Sequence, residues 1–192
     1  NPNYQAIGVR NQLLVLSNLI DKAGNEGFKN FYVKYRELAS QPGFNANNYL
    51  LPDLLVQYLG ETNKYDFSPV FNAWGLTVKE ETRQQVKEQE YVPVAHLAQV
   101  VPNDQLSEAI DQFTQENRLS SVLSLVTNDE LKAMNLTSDV TLNFTDEDLF
   151  DGVKLRIMDG DKLYQEVTLN QGEVTLENIP NGVYSLELQT NT

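Results

Sequence analysis

The apolar residues of this chain recur at spacings of three and four up to Arg118 and at a spacing of two after it. A helix presents one face every 3.6 residues and a strand every second residue, so the switch predicts a helical region followed by a strand-rich one. Val9, Leu13, Leu16, Ile20 and Ala23 make one helical face that ends near Gly24. Phe28, Phe31, Tyr32, Tyr35 and Leu38 make a second, stopped by Gln41-Pro42-Gly43. Leu51, Leu54, Leu55, Tyr58 and Leu59 make a third ending at Gly60, with Pro52 in its first turn, where no backbone donor is lost.

Ser68-Pro69 reads as N-cap and first residue of a fourth helix that carries Val70, Phe71 and Trp74. Gly75 supplies its left-handed C′ residue and Leu76 the apolar side chain that folds back. Thr77-Val78-Lys79-Glu80 has the capping-box pattern and opens a fifth, mostly polar helix. Leu106, Ala109, Ile110 and Phe113 mark a last amphipathic one.

Beyond Arg118 the expected strands are 121–126, 140–144, 153–158, 163–169, 173–176 and 183–188, with a short helix at 129–134. A three-residue loop at Asp159-Gly160-Asp161 would pair Ile157 with Leu163 and Val153 with Val167 on the inner face. The same register sets Lys154 opposite Glu166 and Arg156 opposite Tyr164 on the outer face. A two-residue turn at Gln171-Gly172 would pair Leu169 with Val174 and Val167 with Leu176. The fold class expected is α+β: a helical bundle region over 1–118, then a small antiparallel β-sandwich of Ig or transthyretin type over 119–192.

Charge supports the same boundary. Residues 1–118 hold 10 Lys and Arg against 14 Asp and Glu, a net of −4, whereas residues 119–192 hold 4 against 13, a net of −9. That field repels phosphate backbones, which argues against nucleic acid and anionic membranes as partners. No apolar run approaches the length of a membrane span. The absence of cysteine removes disulfides, thiolate metal sites and thiol nucleophiles together.

Chemistry-bearing patterns are few. His96 is the single histidine, so a zinc-protease helix with two histidines four residues apart cannot be assembled from this chain. No nucleophile elbow and no glycine-rich phosphate loop accompanies it. His96 reads as a packing or surface residue, and Trp74, at helical spacing with Phe67, Val70 and Phe71, as core. Asp146-Glu147-Asp148-Leu149-Phe150-Asp151-Gly152 approaches a calcium loop, but Leu149-Phe150 displaces the third acid and no Glu stands at the twelfth position. An aromatic ring on an outward face can stack on a sugar, which makes Tyr164, beside Arg156, the carbohydrate-binding candidate. The plainer reading of the same two residues is a cross-strand cation–π pair that needs no ligand. Tyr184, alternating with Leu186 and Leu188, reads as core.

Two stretches carry a family resemblance. Tyr65-Asp66-Phe67-Ser68-Pro69-Val70-Phe71-Asn72-Ala73-Trp74-Gly75-Leu76 resembles the F-x-x-W-G segment near the end of the catalytic region of enhancin-like, M60-type metallopeptidases, and Phe28 to Arg36 resembles the helix before it. Ser124 to Leu131, Gly152 to Ile157 and Ile179-Pro180-Asn181-Gly182-Val183-Tyr184 resemble the mucin- or carbohydrate-binding module attached to those enzymes. The resemblance implies a secreted or surface-displayed bacterial protease acting on mucin-type glycoproteins. The motif H-E-x-x-H is missing here, so the chain is expected to be a non-catalytic C-terminal portion. Its zinc is then expected in an upstream catalytic domain against which residues 1–118 pack, with no cofactor of its own. A structural spacer or docking module of a bacterial surface protein, without sugar affinity, is the alternative.

Overall fold

The computed structural model describes residues 7–115, 121–145 and 147–189. Helix α1 (Val9–Ala39) is broken at Gly24, whose φ of 70° and ψ of 176° divide it into the two expected helical faces. Helix α2 (Leu51–Leu54) runs into a π-helical turn at Leu55–Leu59, with Pro52 in the first turn. Strand β1 (Tyr65–Asp66) leads into α3 (Ser68–Ala73), and α4 (Glu80–Glu88) leads into β2 (Val92–His96). Short α5 (Leu97–Val100) and amphipathic α6 (Leu106–Gln115) follow.

The end of α3 forms as its sequence dictates. Leu76 N–H donates to the Phe71 carbonyl at 2.9 Å and Gly75 N–H to the Asn72 carbonyl at 3.0 Å, with Gly75 at φ 68° and Leu76 buried. That is the double bond pattern of a Schellman stop, which satisfies two orphan carbonyls. The starts of α3 and α4 differ from expectation. Phe67, not Ser68, stands at the N-cap of α3, and Asp66 Oδ1, from the residue before it, accepts from Ser68 N–H at 2.8 Å. The box at Thr77 does not form: α4 begins at Glu80, Val78 is buried, and Asp53 Oδ1 takes the Lys79 N–H at 2.8 Å. A buried carboxylate from another helix has displaced the local cap.

The first sheet overturns the expectation of an all-helical region before residue 118. β1 and β2 are parallel, with Tyr65 opposite Val92. β3 (Leu125–Thr127) then pairs antiparallel with β2, Val94 opposite Thr127 and His96 opposite Leu125. The strand expected at 121–126 thus joins the preceding part rather than the later strands, and Leu125 packs into the same core as Val15, Leu19, Leu59, Phe67 and Phe71. Residues 116–120, where the boundary was placed, lie outside the described residues.

Helix α7 (Asn128–Ala133) is capped reciprocally: Thr127 Oγ1 accepts from Glu130 N–H at 3.3 Å, and Glu130 Oε2 accepts from Thr127 N–H at 2.7 Å. Next come β4 (Thr137–Asn143), α8 (Glu147–Phe150), β5 (Lys154–Asp159), β6 (Lys162–Thr168), β7 (Glu173–Pro180) and β8 (Ser185–Gln189). They form two antiparallel sheets, β4–β7 and β6–β5–β8. Leu155, Ile157, Leu169, Leu176 and Ile179, drawn from both sheets and the β6–β7 connection, make one buried cluster. The chain is therefore α+β, with small, mainly antiparallel sheets.

The first hairpin register changes; the second forms its expected two-residue turn but does not extend. Asp159 pairs with Lys162 across a two-residue turn, and a bulge follows, so that Met158 faces Leu163 while Ile157 faces Gln165. Tyr164 is the extra residue. Val153 pairs with no partner in the expected way; Leu155 instead faces Val167, and Arg156 faces Glu166. Lys154 still reaches Glu166, diagonally, at 2.8 Å. At Gln171-Gly172 no extended β6–β7 hairpin forms, only an Asn170–Glu173 bridge, because β7 takes β4 as its partner. A second bulge sits between Ser138 and Val140, where Asn178 at φ 54° donates its N–H to Asp139 Oδ1 at 2.8 Å.

Side chains fasten the later sheets to the helical part. Buried Asn128 donates to Asp159 Oδ1 at 2.7 Å and to the Val183 carbonyl at 2.8 Å, and accepts from Val183 N–H at 2.7 Å. Buried Asn181 donates to Gln105 at 3.0 Å and accepts from Ser138 Oγ at 2.6 Å. Lys132 adds a 2.6 Å ion pair to Asp159, and Lys87 on α4 one of the same length to Glu187 on β8. Buried polar groups of this kind are costly unless fully bonded, so they fix one relative placement.

Candidate functional site

Tyr164 and Arg156 do not meet. The bulge carries Tyr164 against Tyr184, with ring centroids 5.3 Å apart and planes at 54°, and the residue stays 38% exposed. Tyr184 is held in turn, its hydroxyl donating to the Pro180 carbonyl at 2.9 Å, and burial raises its phenol far above the usual range. Arg156 lies between Glu166 and Glu187 on the neighbouring strands, 3.6 Å from the Glu187 carboxylate. The cation–π pair expected between Arg156 and Tyr164 is replaced by a ladder of charges, in which the Lys87 bond holds the Glu187 carboxyl below its ordinary value. Half-exposed pairs like these contribute about 0–1 kcal/mol each.

Sequence reasoning missed a cleft of about 450 Å³ where the two sheets part beside α5. Ser138, Val140 and Leu142 of β4 line one wall, Ile157, Tyr184 and Leu186 the other, and Val100 to Pro102 close one end. The wall residues alternate in sequence, so their apolar face was legible. That β4 and β8 stand opposite each other was not, because it depends on β7 choosing β4. Leu186 and Leu188, expected in the core with Tyr184, are 46% and 40% exposed.

His96 and Trp74 are tied together under the first sheet. Trp74 Nε1–H donates to His96 Nε2 at 2.8 Å, and His96 Nδ1 bonds the Leu123 carbonyl at 2.8 Å. A carbonyl can only accept, so Nδ1 carries the proton and Nε2 the lone pair, which Trp74 already uses. His96 is therefore a buried structural group, and no nitrogen is open to a metal. Burial lowers its pKa, the Leu123 carbonyl working in the opposite direction. The unfolded chain, near pKa 6.5, then takes up a proton before the folded one does. Stability from this group is full above about pH 6.5 and falls as the pH drops below it. Urea midpoints measured from about pH 8 to pH 5 are expected to decline in that window, and His96→Gln should flatten the decline; an unchanged slope in the variant would reject this account.

Close to this core, Asp66 has its carboxyl raised by burial, against the hydrogen bonds from Ser68. Its Oδ1 is taken up by the first N–H of α3. The acidic run from Asp146 falls partly outside the described residues: Asp146 and the side chains of Glu147 and Asp148 are not described, while Asp151 Oδ1 accepts the Gln171 N–H at 3.0 Å and Phe150 packs on Phe144. No helix among the described residues is long and apolar enough to cross a membrane.

The fold and these sites define an α+β protein with an aromatic patch and an apolar cleft in its strand-rich part. Set against protein-family models, curated proteins and solved structures, the chain matches none.

Proposed function

We propose that the chain is a non-catalytic accessory region of a secreted or surface-displayed, bacterial, enhancin-like zinc metallopeptidase. In this reading its strand-rich end, an Ig- or transthyretin-like sandwich, binds mucin-type glycan and holds the enzyme on its substrate. Tethering raises local substrate concentration without tight intrinsic affinity. The observation that carries the reading is Tyr164: an exposed ring, backed by Tyr184 and presented at a bulge, is the preorganised apolar plate a sugar face requires. Val9, Leu13 and Leu14, exposed along one stretch of α1, support contact with an upstream catalytic domain. Zinc would be held there, since His96 has no free nitrogen to offer.

The glycan reading is tested by retention on immobilised mucin and by glycan array. Tyr164→Ala is expected to reduce retention roughly tenfold, the equivalent of about 1.4 kcal/mol, while Arg156→Ala leaves it nearly unchanged. Equal retention of the wild-type chain and Tyr164→Ala would refute it. A rigid spacer is the second reading, favoured by the fastening of Asn128 and Asn181 across the seam. It expects no sugar retention at all, and lower activity of the whole peptidase when residues 136–189 are deleted.

A further inference from the structure

The cleft has the geometry of a sheet that lacks one strand. Phe144 N–H donates to the Gly172 carbonyl at 2.8 Å, continuing the register in which Leu142 faces Val174 and Val140 faces Leu176. Antiparallel pairs alternate in bonding, so Val140 and Leu142 bond to β7, and Thr141 and Asn143 turn their backbone N–H and C=O groups away from it. No strand among the described residues pairs with that side of β4. Across the cleft, Leu186 faces Ile157 and Leu188 faces Leu155 in the β5–β8 ladder. Directly opposed residues share a face. Leu186 and Leu188 therefore lie on the inner side of their sheet, yet both are exposed, whereas Leu155 and Ile157 are buried. The three-stranded sheet extends one strand beyond the two-stranded sheet that covers it.

We propose that the outer edge of β4 accepts an extended segment of a partner protein as an added strand, with alternate apolar side chains in the cleft and basic side chains on the opposite face. Main-chain bonds to Thr141 and Asn143 would give the affinity, and the cleft beside Val140 and Leu186 the side-chain selection. The basic face follows from charge: Asp139, Glu173 and Glu177 stand exposed on the outer side of β4–β7, within a region of net charge −9. That same charge opposes a second copy of this chain as the occupant.

The inference is independent of glycan binding and has its own test. A fluorescein-labelled peptide of about nine residues, within the usual range of strand lengths, alternating Val and Lys, is titrated into the whole chain and read by fluorescence anisotropy. Two comparison peptides carry the same residues in separate Val and Lys blocks, or the alternating sequence with every second amide N-methylated. The alternating peptide is expected to bind at least about tenfold more tightly than either. Thr141→Pro removes an outward donor without breaking the β7 ladder and is expected to weaken binding roughly tenfold. Leu186→Ser, at an already exposed position, should weaken it as well. Absence of binding, equal binding of the block or N-methylated peptide, or full binding by both variants would overturn the proposal. So would a concentration-dependent dimer of the chain that Thr141→Pro abolishes, because the occupant would then be a second copy. Mucin retention through Tyr164 is unaffected by Thr141→Pro, so failure of one reading leaves the other standing.

Discussion

Gly182→Ala is expected to destabilise the chain by about 3 kcal/mol, a lowering of its thermal midpoint by roughly 6–12 °C at this chain length. A β-carbon at residue 182 would overlap Asn128 Oδ1 and lie 2.7 Å from its Cγ. Neither contact is tolerable, and Asn128 cannot withdraw without loss, because it is buried and makes three hydrogen bonds to Asp159 and Val183. Each buried group left unbonded costs about 1–3 kcal/mol. Circular dichroism melts of Gly182→Ala, Asn128→Ala and the double variant check the mechanism. The double variant should be markedly less damaged than the sum of the two, since removing Asn128 also removes the clash. Additive losses, or a midpoint for Gly182→Ala within about 2 °C of the wild type, would show that the loop does not depend on this contact.

The second large effect lies at Glu130. Lys22 on α1 is only 3% exposed in its side chain and reaches Glu130 at 2.6 and 2.8 Å, with its ammonium also 5.0 Å above the Tyr65 ring. Glu130 at the same time closes the Thr127 capping box. Glu130→Ala removes the carboxylate paired with a buried cation, at about 3–5 kcal/mol, and also opens a cap worth about 1 kcal/mol. Lys22→Met should cost much less, because its apolar stem is replaced in kind and Glu130, 27% exposed, can turn to water and keep its cap. Urea midpoints ranked with Lys22→Met at or below Glu130→Ala would contradict this asymmetry. Both side chains act across the expected boundary, one before residue 118 and one after it.

What the sequence made legible was local. The break at Gly24, the stop at Gly75-Leu76, Pro52 in a first turn and the short helix after Thr127 each depend on neighbours within a few residues. What it hid was decided at a distance. Thr77 has the letters of a cap, but Asp53 reached Lys79 from another helix. Val92 to His96 shows no alternation because Val94, Ala95 and His96 are all buried, and a run covered on both faces has no period of two. The register around Arg156 shifted by two residues, one from the shorter turn and one from the bulge, which moves Tyr164 from a charged neighbour to an aromatic one. For the candidate site this means that Tyr164 could be named from its sequence, whereas the cleft could not, since its walls come from strands whose pairing is nonlocal.

The segment from Leu125 to Ala133 belongs to both halves at once, and this bears on how such a chain can be inherited. A recombination joint at residues 118 and 119 would carry away the strand that covers His96 and the acid that neutralises Lys22. A joint placed after Ala133 would instead part Asn128 from the loop at Asn181-Gly182. Neither cut yields a cassette with its surfaces intact. The strand-rich end thus leaves apolar and charged surface uncovered at either cut, and its seating depends on the helices before it.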